Sequence, residues 1–335
     1  MKNAILFEAL DQKKVHCFLC AHHCIIEPEK FGFCGVRKNI DGSLYTYSYG
    51  KLIASNSDPI EKKPLFHFLP GSDSYSIATI GCNFRCGFCQ NWQISQKKMT
   101  TDDYQAGFPR SPEEIVQDAI QNKCESISFT YTEPTIFFEY AFDVAKEAKK
   151  AGLKTVFVSN GFMTQQTIET VKNHLDACNI DLKSFKEEFY KKFCQGHLRP
   201  VLDSIKRLYD FGIWLEITTL LISGENDSPE EINQIASFIA NIDINIPWHI
   251  SRFFPQFEFF NHEATNIITI KKAEKIGRNA GLNYVYAGNI PEETKTECPK
   301  CSEILINRDG YKIKKNNVNN GKCPKCESVI PGVWK

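Results

Sequence analysis

The sequence predicts an α/β protein: a partial (β/α)6, TIM-like barrel with a cysteine-rich extension before it and a zinc-ribbon-like module after it. Three observations predict this. From residue 74 to about 290, short runs rich in β-branched and aromatic residues alternate with helical patterns. Cys17, Cys20, Cys24 and Cys34 cluster before the first run. Two nearly identical Cys-Pro-Lys-Cys knuckles, 298–301 and 323–326, follow the last. The expected units are therefore 1–73, 74–290 and 291–335.

The N-terminal unit ends in a loop-like stretch, Phe68-Leu-Pro-Gly-Ser-Asp73. Candidate strands follow at 75–80, 126–131, 155–159, 178–182, 214–222, 248–254 and 284–287. Between them, Ser111-Pro-Glu-Glu and Ser228-Pro-Glu-Glu-Ile each place Ser at an N-cap and Pro at the first helical position. A third helix is expected over 134–150, stopped by Ala151-Gly152. Strands alternating with helices imply a parallel sheet with right-handed crossovers. No G-x-G-x-x-G follows a strand and no Walker A pattern occurs, so the usual phosphate-binding turns are absent. In a barrel of this kind the chemistry sits at the carboxyl ends of the strands.

Composition narrows the function. The 335 residues contain 40 Lys+Arg and 40 Asp+Glu. No global field then draws the chain to nucleic acid or an anionic membrane. No apolar run approaches membrane-spanning length, and the N-terminus lacks the apolar core of an export signal. A cytoplasmic, soluble protein is expected. Its 14 cysteines then read as metal ligands or catalytic groups rather than disulfides. Cys124, Cys178 and Cys194 stand apart and read as ordinary core thiols.

The pattern C-x3-C-x2-C at Cys82, Cys86 and Cys89 directly follows the first strand. It offers three thiolates on one loop. A [4Fe–4S] cluster is normally held by four cysteines, so a three-cysteine loop leaves one iron open. Asn83, Phe84, Arg85 and Phe88 fill the loop, and apolar packing there would limit solvent and tune the cluster. Other polar residues fall at the remaining strand ends. Glu133 lies in Tyr131-Thr-Glu-Pro134. Ser159 and Asn160 can hydrogen-bond a carboxylate or a ribose. Asp181 and Lys183 alternate on one strand end and point the same way. Glu216, His249 and Arg252 are further candidates for substrate or cofactor contact.

The outer cysteine groups each supply four thiols. Cys17, Cys20, Cys24 and Cys34 suit a closed site holding zinc or an iron–sulfur cluster, with a structural metal the preferred reading. Cys298, Cys301, Cys323 and Cys326, spaced by a β-like segment, suit zinc. Lys312, Lys314 and Lys315 read as a solvated face, so nucleic acid is not an expected partner. A non-catalytic metal-binding interaction module is the alternative from another class.

The cysteine loop, with an aromatic before its last cysteine, resembles the signature of the radical S-adenosylmethionine (SAM) superfamily. Gly-Val-Arg37, Gly-Cys-Asn-Phe-Arg-Cys-Gly-Phe-Cys-Gln-Asn-Trp92, Tyr-Thr-Glu-Pro134, Ile-Asp-Leu-Lys183, Gly-Glu-Asn-Asp-Ser228, Trp-His-Ile-Ser-Arg-Phe-Phe-Pro255 and Ile-Pro-Gly-Val-Trp334 extend it. Over nearly the whole chain it resembles the AmmeMemoRadiSam-system radical SAM enzymes, a group similar to pyruvate formate-lyase-activating enzymes. The resemblance implies a [4Fe–4S] cluster on Cys82, Cys86 and Cys89, with SAM chelated at the open iron. It implies reductive cleavage to a 5′-deoxyadenosyl radical that abstracts hydrogen from a small-molecule or protein substrate. Glu133 stands where the superfamily commonly has Gly-Gly-Glu, without the glycine pair. Asp181 and Lys183 resemble an Asp-x-Lys whose Lys helps bind SAM. An external flavodoxin or ferredoxin electron donor and partners of AMMECR and MEMO type are implied too. The glycyl-radical activase role is the alternative within enzymes, although related activases with extra clusters insert them after the SAM motif.

Overall fold

A computed structural model describes residues 1–97 and 107–335. Its centre is one eight-stranded sheet: Ala54–Pro59 (β1), Asp73–Ala78 (β2), Ser126–Phe129 (β3), Lys154–Ser159 (β4), Ala177–Asp181 (β5), Trp214–Leu221 (β6), Trp248–Arg252 (β7) and Val285–Gly288 (β8). Neighbours in space follow chain order, from β1 to β8. The seven strands β2–β8 are mutually parallel. β1 runs antiparallel to β2. The edge strands β1 and β8 do not pair with each other, so the sheet is open.

The seven parallel strands coincide with the seven expected from sequence. They are buried on both faces, as β3 is at every position, and so read as short continuous runs rather than alternations. β1 was not expected. Its sequence, Ala-Ser-Asn-Ser-Asp-Pro, has almost no β-branched or aromatic residue, and its pairing comes from the edge it completes. Helices cover the crossovers, principally Pro112–Gln121, Phe138–Lys150, Gln165–Val171, Leu198–Asp210, Pro229–Ile242 and Ile267–Asn279. Ser111 is the expected N-cap and also completes a capping box: its Oγ accepts from the Glu114 amide at 3.2 Å, and the Glu114 carboxylate accepts from the Ser111 amide at 2.7 Å. The helix expected over 134–150 is split. Pro134–Phe137 is a 3-10 turn, and the α-helix begins at Phe138 after Phe137 leaves helical geometry.

Residues before β1 form two small antiparallel sheets. Their apolar side chains Val15, Leu19, Ile26 and Val36 join the same buried cluster as Ile136 and Phe137. Arg37 anchors this segment. Its guanidinium donates to both Glu139 carboxylate oxygens, at 3.0 and 2.9 Å, and both side chains are 2% exposed. The last strands, Thr294–Glu297, Ile304–Asp309 and Lys312–Asn316, form an antiparallel sheet with its own small core against Tyr284 and Tyr286. Among the described residues, no helix is long and apolar enough to cross a membrane.

Candidate active site

β2 delivers the chain to Gly81 and then to the loop 82–89. Gly81 has φ +97°, and a Cβ there would lie 2.9 Å from Val36 and 3.1 Å from the Cys34 carbonyl. Only glycine lets the loop leave the strand at this angle so close to the N-terminal segment. Phe84 and Phe88 are almost fully buried and pin the loop from below. The Phe84 amide points at Cys82 Sγ from 3.3 Å, and Ser95 Oγ lies 3.1 Å from Cys89 Sγ.

Cys82, Cys86 and Cys89 line a cavity of about 540 Å³ at the carboxyl ends of the strands. That volume falls in the range of small-molecule sites. Glu133, Ser159, Asn160, Asp181 and Lys183 line it too, as do Thr218 and Leu220 on β6 and Ser251 on β7. Tyr311, from the hairpin between the last two strands, reaches the same cavity.

Glu133 is 1% exposed and organises the turn after β4. Its carboxylate accepts from Ser159 Oγ at 2.8 Å and the Asn160 amide at 2.8 Å. It also accepts from Thr135, through the amide at 3.0 Å and Oγ1 at 2.6 Å. Burial still raises its pKa, against the pull of these donors. Asn160 Nδ2 then donates to Asn83 Oδ1 at 2.7 Å and lies 3.8 Å from Cys82 Sγ. A chain of contacts thus links Glu133, through the β4 turn, to the cysteine loop. Lys183 Nζ pairs with Asp181 at 2.8 Å. Burial opposes the Lys183 charge, but Asp181 and the neighbouring Cys86 and Cys194 thiols outweigh it and raise its pKa.

Burial, then the Glu133 charge, pushes the Cys82 thiol pKa well above its usual value. For Cys86 the leading cause is a hydrogen bond with Cys194, followed by burial. Cys194 looked isolated in sequence, yet a π-helical turn at Tyr190–Cys194 brings it beside the loop. Asn83, expected only as loop filling, and Lys63, not expected at all, both belong to the site. Asn83 is fully buried within the loop, with its Nδ2 lacking a hydrogen-bond partner. Lys63 lines the cavity at 1% exposure. Its ammonium donates to Asp58 at 2.6 Å, and burial lowers its pKa to about 8.

Three expected contacts fall elsewhere. His249 Nε2 is 2.6 Å from Glu216, whose carboxylate also accepts from the Phe66, His67 and Trp214 N–H groups at 2.9, 2.8 and 3.1 Å. Both lie near the starts of their strands, below the cavity, in a fully occupied buried network. Arg252 Nε donates to the Thr265 carbonyl at 2.6 Å, and its guanidinium lies over Phe254. Glu216 and His249 share the strand faces of Leu220 and Ser251 but sit nearer the strand starts, whereas the strand period turns Arg252 to the opposite face from Ser251.

The C-terminal thiols are gathered most tightly. Cys298–Cys326 and Cys301–Cys323 Sγ pairs are each 3.6 Å apart, and all four lie within 4.8 Å of one another.

A parallel sheet with a three-thiol loop leaving its first parallel strand, above a polar cavity, marks a class of enzyme. Residues 76–239 match the radical SAM superfamily, and the chain belongs to it. Membership implies a [4Fe–4S] cluster and SAM. Across 98% of its length the chain is 40% identical to the uncharacterized protein MJ0808 of Methanocaldococcus jannaschii, covering 99% of that protein. It is 24% identical to the pyruvate formate-lyase-activating enzyme of Clostridium pasteurianum, over 48% of this chain and 67% of that one. A radical SAM methyltransferase from Sphaerobacter thermophilus shares the fold at TM-score 0.51 and 13% identity, over 66% of this chain and 67% of that chain.

Proposed function

We propose that Cys82, Cys86 and Cys89 hold the [4Fe–4S] cluster and that the 540 Å³ cavity receives SAM beside it. When bound, the cluster would supply the electron that splits SAM and frees a 5′-deoxyadenosyl radical for hydrogen abstraction. The observation carrying this reading is that three thiols from one loop face a cavity ringed by polar strand ends. The donor set fits the group: thiolates are the ligands such clusters use. The Phe84 amide and the Asn160 amide group are positioned to donate toward Cys82 sulfur. Phe84 and Phe88 exclude water from the loop's underside. Lys183, fixed by Asp181, offers a cation for a carboxylate, and Ser159 and Asn160 offer hydrogen bonds whose geometry Glu133 sets. Tyr131 and Thr132 stand where the glycine pair would precede Glu133, and the Thr132 side chain is already committed to the Thr79 carbonyl at 2.8 Å.

The open sheet is read as the wall of a partial (β/α)6 barrel, between an N-terminal unit of 1–73 and a C-terminal unit of 291–335. In the C-terminal unit the four thiols suit zinc. A tetrahedral site with Zn–S bonds of about 2.3 Å sets sulfurs about 3.8 Å apart, close to the 3.6 Å pairs. The required partner is an external one-electron donor of flavodoxin or ferredoxin type. The test is anaerobic reconstitution followed by dithionite and SAM, with 5′-deoxyadenosine measured. A second reading, activation of a partner protein by forming a glycyl radical, is supported by the Clostridium relative's name. It requires a partner whose radical appears in electron paramagnetic resonance only when this enzyme, SAM and reductant are all present.

A further inference from the structure

The N-terminal thiols carry an inference of their own. Cys17, Cys20, Cys24 and Cys34 are free and line one cavity together with Leu19, Ile26 and Arg37. Cys17 and Cys34 are 6% and 7% exposed. Four thiols facing one largely apolar space bury polar, oxidisable groups with no covalent partner. Among the described residues, however, only the C-terminal tetrad brings three or more ligand atoms within 4.8 Å of one another. The N-terminal four line one cavity without being gathered as tightly as the C-terminal four. Zinc would draw the sulfurs to about 3.8 Å spacing. A four-iron cube binds its cysteines at the corners of a larger tetrahedron, because the sulfurs attach to the outside of the cluster.

A second observation points to a ligand in the same place. Arg37 lines this cavity and is 2% exposed. Two of its nitrogens are committed to Glu139 and the Ile5 carbonyl. Its Nε–H is buried without a hydrogen-bond partner. An orphaned buried donor is costly, and here it belongs to a cation that lines the same cavity as the four cysteines. Thiolates and sulfides of an anionic cluster are the acceptors such a donor suits.

We infer that Cys17, Cys20, Cys24 and Cys34 hold a second [4Fe–4S] cluster rather than zinc. The inference rests on the radical SAM reading only for the identity of the first cluster. The two cysteine loops are in direct contact. His22 Nε2 lies 2.6 Å from the Asn83 carbonyl, Arg85 donates to the Phe33 carbonyl at 2.5 Å, and the Arg85 guanidinium lies 4.7 Å from the Phe33 ring centre. The second cluster would therefore be seated against the loop of the first.

The experiment is iron, sulfide and zinc analysis with Mössbauer spectroscopy on the anaerobically reconstituted full chain and two variants. Wild type should carry about eight irons per chain, and C82A/C86A/C89A about four, a twofold loss, with the rest in a four-thiolate cluster. C17A/C20A should also lose half the iron while keeping a SAM-induced change in the paramagnetic signal of the reduced cluster. The first variant leaves the N-terminal site untouched, so the answer survives misfolding of the second. Wild-type iron of about four that vanishes in C82A/C86A/C89A, with about two zincs per chain, would overturn the inference and leave the radical SAM reading intact. About four irons persisting in that variant supports the inference whatever SAM does.

Discussion

At the residue scale, the cavity owes its electrostatics to side chains from distant parts of the chain. Lys63 is an example. With 1% exposure and a pKa near 8, it is held below the 10.5 of a free lysine by burial, which its contact with Asp58 only partly offsets. A lysine with a lowered folded pKa costs stability. That cost is full below the folded value and is relieved as pH rises through the window from about 8 to 10.5. Lys63→Met should therefore be stabilised relative to wild type at pH 7, and the gap should shrink by about 3 kcal/mol by pH 10.5. Denaturant unfolding at pH 7, 9 and 10 measures it, and parallel curves would contradict the assignment. Nothing in Glu-Lys-Lys-Pro64 foretold this role, because it depends on a fold that brings residue 63 over Tyr131. Cys194 was hidden for the same reason. By contrast, Cys82, Cys86, Cys89 and the Asp181–Lys183 pair were legible, since their spacing alone puts them on one loop or one strand face. Arg252 misled because a polar residue on a strand has two faces to choose from, and His249 because it shares the cavity face of Ser251 but sits nearer the start of the strand. Glu216 and Thr265 captured them away from the cavity.

At the element scale, the cysteine loop is held by packing as much as by its own sequence. Gly196 follows the π-helical turn that carries Cys194, and a Cβ there would fall inside van der Waals contact with the Phe84 ring. Gly196→Ala should displace Phe84 and reduce iron bound at loop 82–89 severalfold, with zinc unchanged; iron analysis checks it. The N-terminal segment is tied to the Phe138–Lys150 helix by the buried Arg37–Glu139 pair. Glu139→Ala would leave Arg37 buried and uncompensated, at a cost of about 3–5 kcal/mol. Chemical denaturation should show that loss, and a loss below about 1 kcal/mol would mean the pair is solvated. The seven parallel strands were readable because buried strands announce themselves in β-branched runs. β1 was not, because a polar edge strand takes its conformation from its neighbour rather than from its own side chains.

At the scale of the whole molecule, three cysteine groups occupy three different environments. The C-terminal tetrad is tight enough for one ion. The N-terminal tetrad lines a cavity and is packed on loop 82–89. The central trio opens into a space large enough for a cofactor and part of a substrate. The account's central claim is that the trio supports reductive cleavage of SAM. It is tested most directly by incubating the anaerobically reconstituted protein with dithionite and SAM and measuring 5′-deoxyadenosine, alongside Cys86→Ala. The account predicts 5′-deoxyadenosine from the wild type and none above background from Cys86→Ala, with zinc content the same in both. A wild-type protein with a fully loaded cluster and no product above background would contradict it.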